Sequence, residues 1–323
     1  MNTTIFPPRL TKDQKIAIIA PADPVRGACN PADVERGVQY LQDKGFAVEL
    51  GTSAQAESVG HTAGTPEQIA SEIHEFVKRG DVGCIMAFWG GLNTNRILDF
   101  LDYELINSHP KIFIGYSDIT ALTTAITTKT GLVTFSGPGL ISFAKPEPFE
   151  YTWEYFEKVC VQPEDAVRIK SSPSYADDEY FLREDNTRRI LKDNSGIEIF
   201  KDGTAEGRVV VGNLQTLLVL VGTEYEPDVT DAIFFIEEDE PERVAQKVTN
   251  LVSSRLPTKY NLNPKKDIQV LSPMHRGEAG VDNLNKMLQG RLNSGEPLDL
   301  PLSSREFLVG DRVMQIRNNY EKE

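Results

Sequence analysis

Apolar and polar positions alternate along the first half of the chain in blocks that predict strands and helices in turn. Short apolar runs, which are typical of buried strands, occupy residues 15–20, 46–50, 83–88 and 111–115. Segments with apolar residues at helical spacing lie between them, at residues 32–44, 66–78 and 94–101. Strands that alternate with helices form a parallel sheet with helices on both faces, so the pattern predicts an α/β fold.

The pattern loosens after residue 131, and the stretch 171–195 is polar, charged and without a period. Beyond it, the runs at 207–211 and 232–236 predict strands around an apolar helix at 214–220. A second, mixed α/β domain follows from these elements. We therefore predict three parts, which are an α/β domain over 1–165, the start of the second domain over 166–240, and a further segment over 241–323.

Composition and charge narrow the class of protein. The chain has 323 residues, 40% of them hydrophobic, and a formal net charge of -14. An acidic surface repels phosphates, so nucleic acid is not an expected partner. The longest apolar stretch, 209–221, is too short and too often interrupted by polar residues to span a bilayer, and the first residues do not resemble a signal peptide. We therefore expect a cytoplasmic protein that does not contact a membrane.

The three cysteines and four histidines do not show the spacing of metal ligands. Neither a metal nor another cofactor is expected.

A serine follows the predicted strand at 111–115. Ser117 lies between that strand and a helix, in the sequence PKIFIGYSDITAL. Such a turn exposes a serine hydroxyl at the edge of a sheet and points helix N-terminal amides at it, as a nucleophile requires. The same hydroxyl could equally be the N-cap of the helix, and local spacing leaves both interpretations open.

Two other motifs follow predicted strands. Gly90 and Gly91 stand before Asn93, and paired glycines let backbone amides approach an oxyanion; a tight turn with Asn93 as a helix cap is the alternative. An acidic cluster with Glu237 as its first carboxylate ends the strand at 232–236. One carboxylate there could orient a catalytic histidine, or the cluster could be a solvated face and the start of a helix.

Five sequence blocks, in this order, resemble the LD-carboxypeptidase and microcin C immunity family of serine peptidases. The resemblance covers residues 8–238, and the blocks lie at 9–24, 90–106, 110–122, 131–138 and 212–228. It implies a Ser-Glu-His hydrolase with Ser117 as nucleophile and Glu237 as the residue that orients the histidine. It also implies an oxyanion site at the amides of Gly91 and Asp118, in a substrate-binding loop with Gly90 and Asn93.

The sequence Trp-Gly-Gly-Leu-Asn-Thr-Asn at residues 89–95 differs from the Arg-Gly-Gly-Tyr-Gly form of murein carboxypeptidases. It is more similar to the microcin immunity branch, whose members cleave an amide between an aspartyl residue and a modified adenylate. The resemblance thus implies a small peptide-like or aminoacyl-adenylate-like substrate. The resemblance is also compatible with a homodimer.

The family's histidine lies in its C-terminal domain, but the corresponding residues here, 301–306, read PLSSRE. His275 is the one histidine downstream of Glu237. Residues 234–323 instead resemble part of a RecD-type DNA helicase, through blocks at 234–260, 268–289 and 307–323. The chain has no GxxxxGK[ST] phosphate loop, which excludes an ATP-driven motor.

These observations favour a serine carboxypeptidase or amidase that uses Ser117, Glu237 and His275. Two alternatives stay open. One is a catalytically impaired fusion protein that binds its ligand without turnover, and the other is a protein that binds nucleic acid through the helicase-like segment.

Overall fold

A computed structural model gives the architecture of the chain. It describes residues 3–162, 166–176, 188–197, 203–238, 241–268, 270, 280–298 and 307–311. The chain divides into two compact units. The first comprises Met1–Gly196 and Ala205–Glu237, and the second comprises Ile197–Thr204 and Glu238–Glu323. The domain limits at residues 165 and 240 stay predictions.

The first unit is built on a parallel sheet of five strands. They are β1 (Lys15–Ile19), β2 (Ala47–Leu50), β3 (Val82–Ala87), β4 (Ile112–Gly115) and β5 (Phe135–Ser136). Their order across the sheet is β2-β1-β3-β4-β5, and each pairing is parallel. The chain therefore moves outward in one direction from β1 and in the other from β3. In sheets of this kind, ligands bind in the crevice outside the carboxyl ends of the strands, where the order reverses.

Helices follow the strands along the chain. They are α1 (Pro31–Asp43), α2 (Thr52–Gln55), α3 (Pro66–Lys78), α4 (Tyr103–Ser108), α5 (Thr120–Thr130), α6 (Leu140–Ala144) and α7 (Glu150–Phe156), which runs into a π-helical segment at Glu157–Val161. Short 3-10 helices occupy Thr94–Phe100 and Ser117–Ile119. The predicted helix at 94–101 is thus of the 3-10 type. Thr65 begins α3 as its N-cap, in a capping box with Gln68.

Both faces of the sheet are packed. Ile85 and Phe113 belong to one apolar cluster, together with residues of α3 and α5, whereas Met86 and Ile114 belong to a second cluster with residues of α1, α6 and α7. Successive side chains of a strand point to opposite faces, so a buried strand needs apolar residues at every position. All six residues of β3 are buried accordingly. The predicted parallel α/β fold is confirmed.

The rest of the first unit holds two small sheets. β6 (Ser174–Tyr175) and β7 (Lys192–Asp193) pair in antiparallel fashion. β8 (Arg208–Asn213) and β9 (Ala232–Glu237) are parallel and are joined through α8 (Leu214–Leu220), with Asn213 beside Glu237 in the register.

The second unit is mixed. Its helices are α9 (Pro241–Asn250), α10 (Leu256–Tyr260) and α11 (Val281–Leu292), with a π-helical segment at Leu251–Arg255. β10 (Pro297–Leu298) and β11 (Phe307–Leu308) form an antiparallel pair. Across the described parts of the chain, no helix combines the length and the apolar character that crossing a bilayer requires.

Candidate active site

The residues after three neighbouring strands meet at the carboxyl edge of the main sheet. Asp23 follows β1, residues 89–94 follow β3, and Ser117 follows β4. Residues 89–94 are called the glycine loop below. Because β1 and β3 are the strands between which the sheet order reverses, the site lies at the switch point of the fold.

Ser117 has a backbone conformation that few serines adopt. Its φ angle is 59°, in the left-handed region that favours glycine. It is the first residue of a 3-10 helix whose N-cap is Tyr116, and no side-chain hydrogen bond caps that helix. The interpretation of Ser117 as an N-cap is therefore wrong. A strained turn that presents a serine after a strand is the geometry of a nucleophile elbow.

The glycine loop packs directly on this serine. A Cβ atom added to Gly90 would lie 2.8 Å from Ser117 Cβ and 2.9 Å from Ser117 Oγ, so only glycine fits there without a shift. Gly91 has a φ of 150°, and a Cβ atom on it would overlap the carboxylate of Asp23. Within the described residues, no hydrogen bond uses the N–H of Gly91 or of Asp118. Both amides are thus available as donors at this edge of the sheet.

Asn93 does not cap the 3-10 helix that follows it. It occupies the N-cap position, but its side chain makes no capping bond. Its Nδ2 atom instead donates to the backbone oxygen of His61 at 2.9 Å and, more weakly, to Asp23 Oδ1 at 3.4 Å. The amide at the start of this helix is taken by Asp118, whose Oδ2 accepts from Thr94 N at 2.8 Å.

Asp118 is a buried carboxylate. Burial raises its pKa, and the charge of Asp23 acts in the same direction, while hydrogen bonds from Thr94 and Asn93 oppose the rise. Sequence reasoning considered only the backbone amide of Asp118 and missed its side chain. The sequence does not distinguish this side chain, because a carboxylate at the start of a helix is common in any fold.

Glu237 ends β9 as an exposed residue. Its register partner Asn213 donates its backbone N–H to Thr120 Oγ1 at 3.0 Å. Burial raises the pKa of the Tyr116 phenol, and the negative charge of Glu237 adds to that rise. The role of Glu237 in a triad with Ser117 stays a prediction.

Asn213 was not singled out from the sequence, although it lies in the conspicuous block GNLQT. It is buried, and its Oδ1 atom caps α8 by accepting from Thr216 N at 3.1 Å. Together with its backbone bond to Thr120, this places the end of β8 against the start of α5.

His275 lies outside the described residues, so its position relative to Ser117 stays a prediction. The described histidines differ in where they lie. The backbone of His61 touches Asn93 of the glycine loop, whereas His74 and His109 bond to residues near α4. In the described parts of the chain, no group of three or more histidine, cysteine, aspartate or glutamate side chains is placed to hold a metal ion.

Comparison with protein families gives two matches. The profile of the LD-carboxypeptidase N-terminal domain matches residues 16–137, and that of the LD-carboxypeptidase C-terminal domain matches residues 206–261. The second match continues past residue 238, where we expected the resemblance to end. It covers the first part of the segment that resembles a helicase, and the helicase resemblance stays a prediction.

Curated relatives agree with these matches. The chain is 37% identical to YocD of Bacillus subtilis over 235 residues, which are 73% of this chain and 71% of that protein. It is 39% identical to the microcin C7 self-immunity protein MccF of Escherichia coli over 210 residues, 63% of this chain and 60% of that protein. The aligned part thus omits more than a quarter of each relative.

Solved structures show the same fold. An MccF-like protein from Bacillus anthracis superposes with a TM-score of 0.75 at 30% identity, over 89% of this chain and 86% of that one. MccF in complex with aspartyl sulfamoyl adenosine gives a TM-score of 0.75 at 30% identity, over 89% and 87% of the two chains.

Proposed function

Since the chain belongs to the LD-carboxypeptidase family of serine peptidases, we propose that it hydrolyses a small peptide-like amide with Ser117 as nucleophile. The observation that carries the proposal is the left-handed conformation of Ser117 at the carboxyl end of β4, packed against Gly90. A strained turn exposes the hydroxyl, and a neighbour without a side chain lets the backbone of the glycine loop approach the serine closely.

The proposed mechanism is acyl transfer to serine. Ser117 Oγ attacks the carbonyl carbon while a base takes its proton, because a neutral hydroxyl is a weak nucleophile. The protonated base then gives this proton to the amide nitrogen as the C–N bond breaks and the amine leaves. Water, deprotonated by the same base, attacks the acyl-enzyme, and the proton returns to Ser117 Oγ as the acid product is released. The N–H groups of Gly91 and Asp118 bind the oxyanion that develops. Glu237 orients the base and stabilises its positive charge, as the carboxylate of a catalytic triad does.

Two histidines are candidates for the base. His275 is favoured by its place in the chain after Glu237, and His61 by its backbone contact with the glycine loop. Replacing the true base by alanine should lower kcat by about 10³-fold or more, as loss of a triad member does. Replacing the other histidine should leave kcat within about twofold, well inside what a triad member would change. Measuring kcat for His275→Ala and His61→Ala decides between them, and two unchanged variants would contradict a histidine mechanism.

The proposed substrate class is an aminoacyl amide of a nucleotide. The relative MccF is 39% identical to this chain, and structures of MccF hold aspartyl sulfamoyl adenosine and glutamyl sulfamoyl guanosine. A murein peptide is the competing substrate, because other members of the family are named murein carboxypeptidases. The two classes are separated by comparing kcat/KM for an aspartyl-adenylate amide and a murein tetrapeptide.

Labelling of the nucleophile tests the proposal directly. A fluorophosphonate probe should label the wild-type protein and should not label Ser117→Ala. Ser108→Ala is the matched control, because Ser108 is an exposed serine that bonds only near its own helix. Equal labelling of Ser117→Ala and wild type, or absence of labelling together with absence of amide cleavage, would overturn the proposal.

A second candidate is binding without turnover. The observation in its favour is the absence of histidine from residues 301–306, where the family's histidine was expected. Calorimetry with aspartyl sulfamoyl adenosine should then show saturable binding while the aspartyl-adenylate amide stays intact. Turnover of that amide would exclude this candidate.

A further inference from the structure

We propose that two aspartates, Asp23 and Asp118, are positioning residues that hold the glycine loop beside Ser117. Asp23 contacts the loop along residues 89–93 and Asp118 bonds to Thr94 at its end, and neither is proposed to touch the reacting atoms through its side chain. The inference rests on the proposed function, because it gives the loop its role in binding the oxyanion.

Asp23 contacts five consecutive residues of the loop. Its backbone oxygen accepts from Trp89 Nε1 at 3.0 Å, and its backbone N–H donates to Gly90 O at 3.4 Å. Its Oδ1 atom accepts from Leu92 N at 3.3 Å and from Asn93 Nδ2 at 3.4 Å. Gly91 completes the contact, since the side of Gly91 on which a Cβ atom would stand is filled by the Asp23 carboxylate.

Asp118 holds the other end of the loop. Its Oδ2 atom accepts from Thr94 N at 2.8 Å, and its side chain is buried against that helix start. Because Asp118 is the residue after Ser117, this bond links the serine turn to the end of the loop. Burial raises the pKa of Asp118, and the negative charge of Asp23 adds a smaller contribution to that rise.

The two carboxylates accept hydrogen bonds from some backbone N–H groups of the loop and leave others available to bind an oxyanion. The N–H of Leu92 points to Asp23, and the N–H of Thr94 points to Asp118. Gly91 packs against the carboxylate of Asp23, and its N–H makes no bond among the described residues. An oxyanion site works through donors that are already in place when charge develops, so a loop held at both ends serves it.

The test compares Asp23→Ala with Asp23→Asn in the full-length protein. Asparagine keeps an oxygen that accepts from Leu92 N and Asn93 Nδ2, whereas alanine removes it. We expect kcat of Asp23→Ala to fall by about 10²-fold with little change in KM, because a misplacement of about 1 Å costs that much. Asp23→Asn should recover most of the loss of kcat. Asp118→Asn makes the same test of the second aspartate, because asparagine keeps an oxygen that can accept from Thr94 N.

Asp102→Ala is the matched control. Asp102 also accepts a backbone N–H with its carboxylate, from Leu105 at 2.9 Å, but it caps α4 and does not contact the glycine loop. It should lower the melting temperature as a lost cap does and leave kcat unchanged. A loss of kcat in Asp102→Ala equal to that in Asp23→Ala would show a general effect of stability and overturn the proposal.

Amide hydrogen exchange of residues 89–94 provides a readout that does not need activity. Exchange at Leu92 should speed up in Asp23→Ala and stay near the wild-type rate in Asp23→Asn and Asp102→Ala. Unchanged exchange in Asp23→Ala would overturn the proposal even if the protein is active. Faster exchange with an unchanged kcat would overturn it too. Absence of labelling and turnover in the wild type would refute the proposed function, and the exchange rates would still decide whether Asp23 holds the loop.

Discussion

Gly90 has no room for a side chain, because Ser117 fills the space that a Cβ atom would occupy. Its φ angle is not in the left-handed region, so glycine is required there by the close contact with Ser117 and not by the backbone conformation. Gly91 next to it has both constraints, a φ of 150° and the Asp23 carboxylate against it. The two glycines therefore serve different needs, and only the first bears directly on the proposed nucleophile.

Gly90→Ala separates that contact from general stability. The added methyl group must push Ser117 or the loop aside, so kcat/KM should fall by about 10²-fold, as for a small misplacement of reacting groups. The same overpacking should destabilise the protein by about 1–3 kcal/mol. Steady-state kinetics and urea denaturation measure the two effects.

Gly80→Ala is the control for this change. A Cβ atom on Gly80 would meet open space, and its φ angle is not in the left-handed region. It should leave kcat/KM at the wild-type value. An unchanged kcat/KM in Gly90→Ala would show that the loop does not need to touch Ser117.

α3 and α4 are joined through an imidazole. His74, on α3, accepts a hydrogen bond at its Nε2 atom from the backbone N–H of Asp102, the N-cap residue of α4. The nitrogen that accepts this bond must be unprotonated. Burial lowers the pKa of His74 and the charge of Lys78 lowers it further, while the charge of Asp102 acts against both. This hydrogen bond between the helices therefore requires a neutral histidine.

Stability should decrease as the pH falls below the ordinary histidine pKa of about 6.5. The pKa of His74 is lower in the folded state, so the unfolded state binds the proton more readily and becomes favoured as the pH falls. The stabilisation is complete above the unfolded pKa and is lost as the pH falls towards the folded value. Melting temperatures of the wild type and of His74→Gln, measured between pH 7.5 and 5.5, check this. Glutamine can accept the same bond without titrating, so the variant should lose less.

His109→Gln is the control, because His109 bonds only to Ser108 and Leu105 on its own helix. It should keep the pH dependence of the wild type. If His74→Gln also kept it, another group would be responsible for the acid sensitivity.

The whole chain carries a formal net charge of -14, which bears on the helicase-like segment. Proteins that bind nucleic acid neutralise phosphates with lysine and arginine and release counterions, which requires a basic surface. The family match to residue 261 and the acidic chain both favour a small-molecule substrate over DNA.

We expect the full-length protein not to bind duplex or single-stranded DNA at about 0.15 M ionic strength, a condition under which surface charges act over about 8 Å. Fluorescence anisotropy with labelled oligonucleotides measures this. Saturable binding that weakens with added salt, and weakens again in Lys265→Ala/Lys266→Ala, would instead support nucleic-acid binding by the helicase-like segment.

Local patterns were enough to predict much of this protein. The apolar runs predicted the strands because a strand buried on both faces needs an apolar residue at every position, as β3 shows. The turn at Ser117 could also be predicted, since it depends on a few adjacent residues. The order of the blocks predicted the family.

Contacts between residues far apart in the chain could not be read in this way. Leu92 and Asp23 are separated by 69 positions, and Asn213 and Thr120 by 93. Their meeting depends on the order of strands, in which β1 lies beside β3 and the strand order reverses between them. Periodicity along a chain specifies which face of an element is buried but not which element lies next to it. The local sequence therefore determined the serine turn and the glycine pair, and only the packing of the sheet decided that two aspartates hold them together.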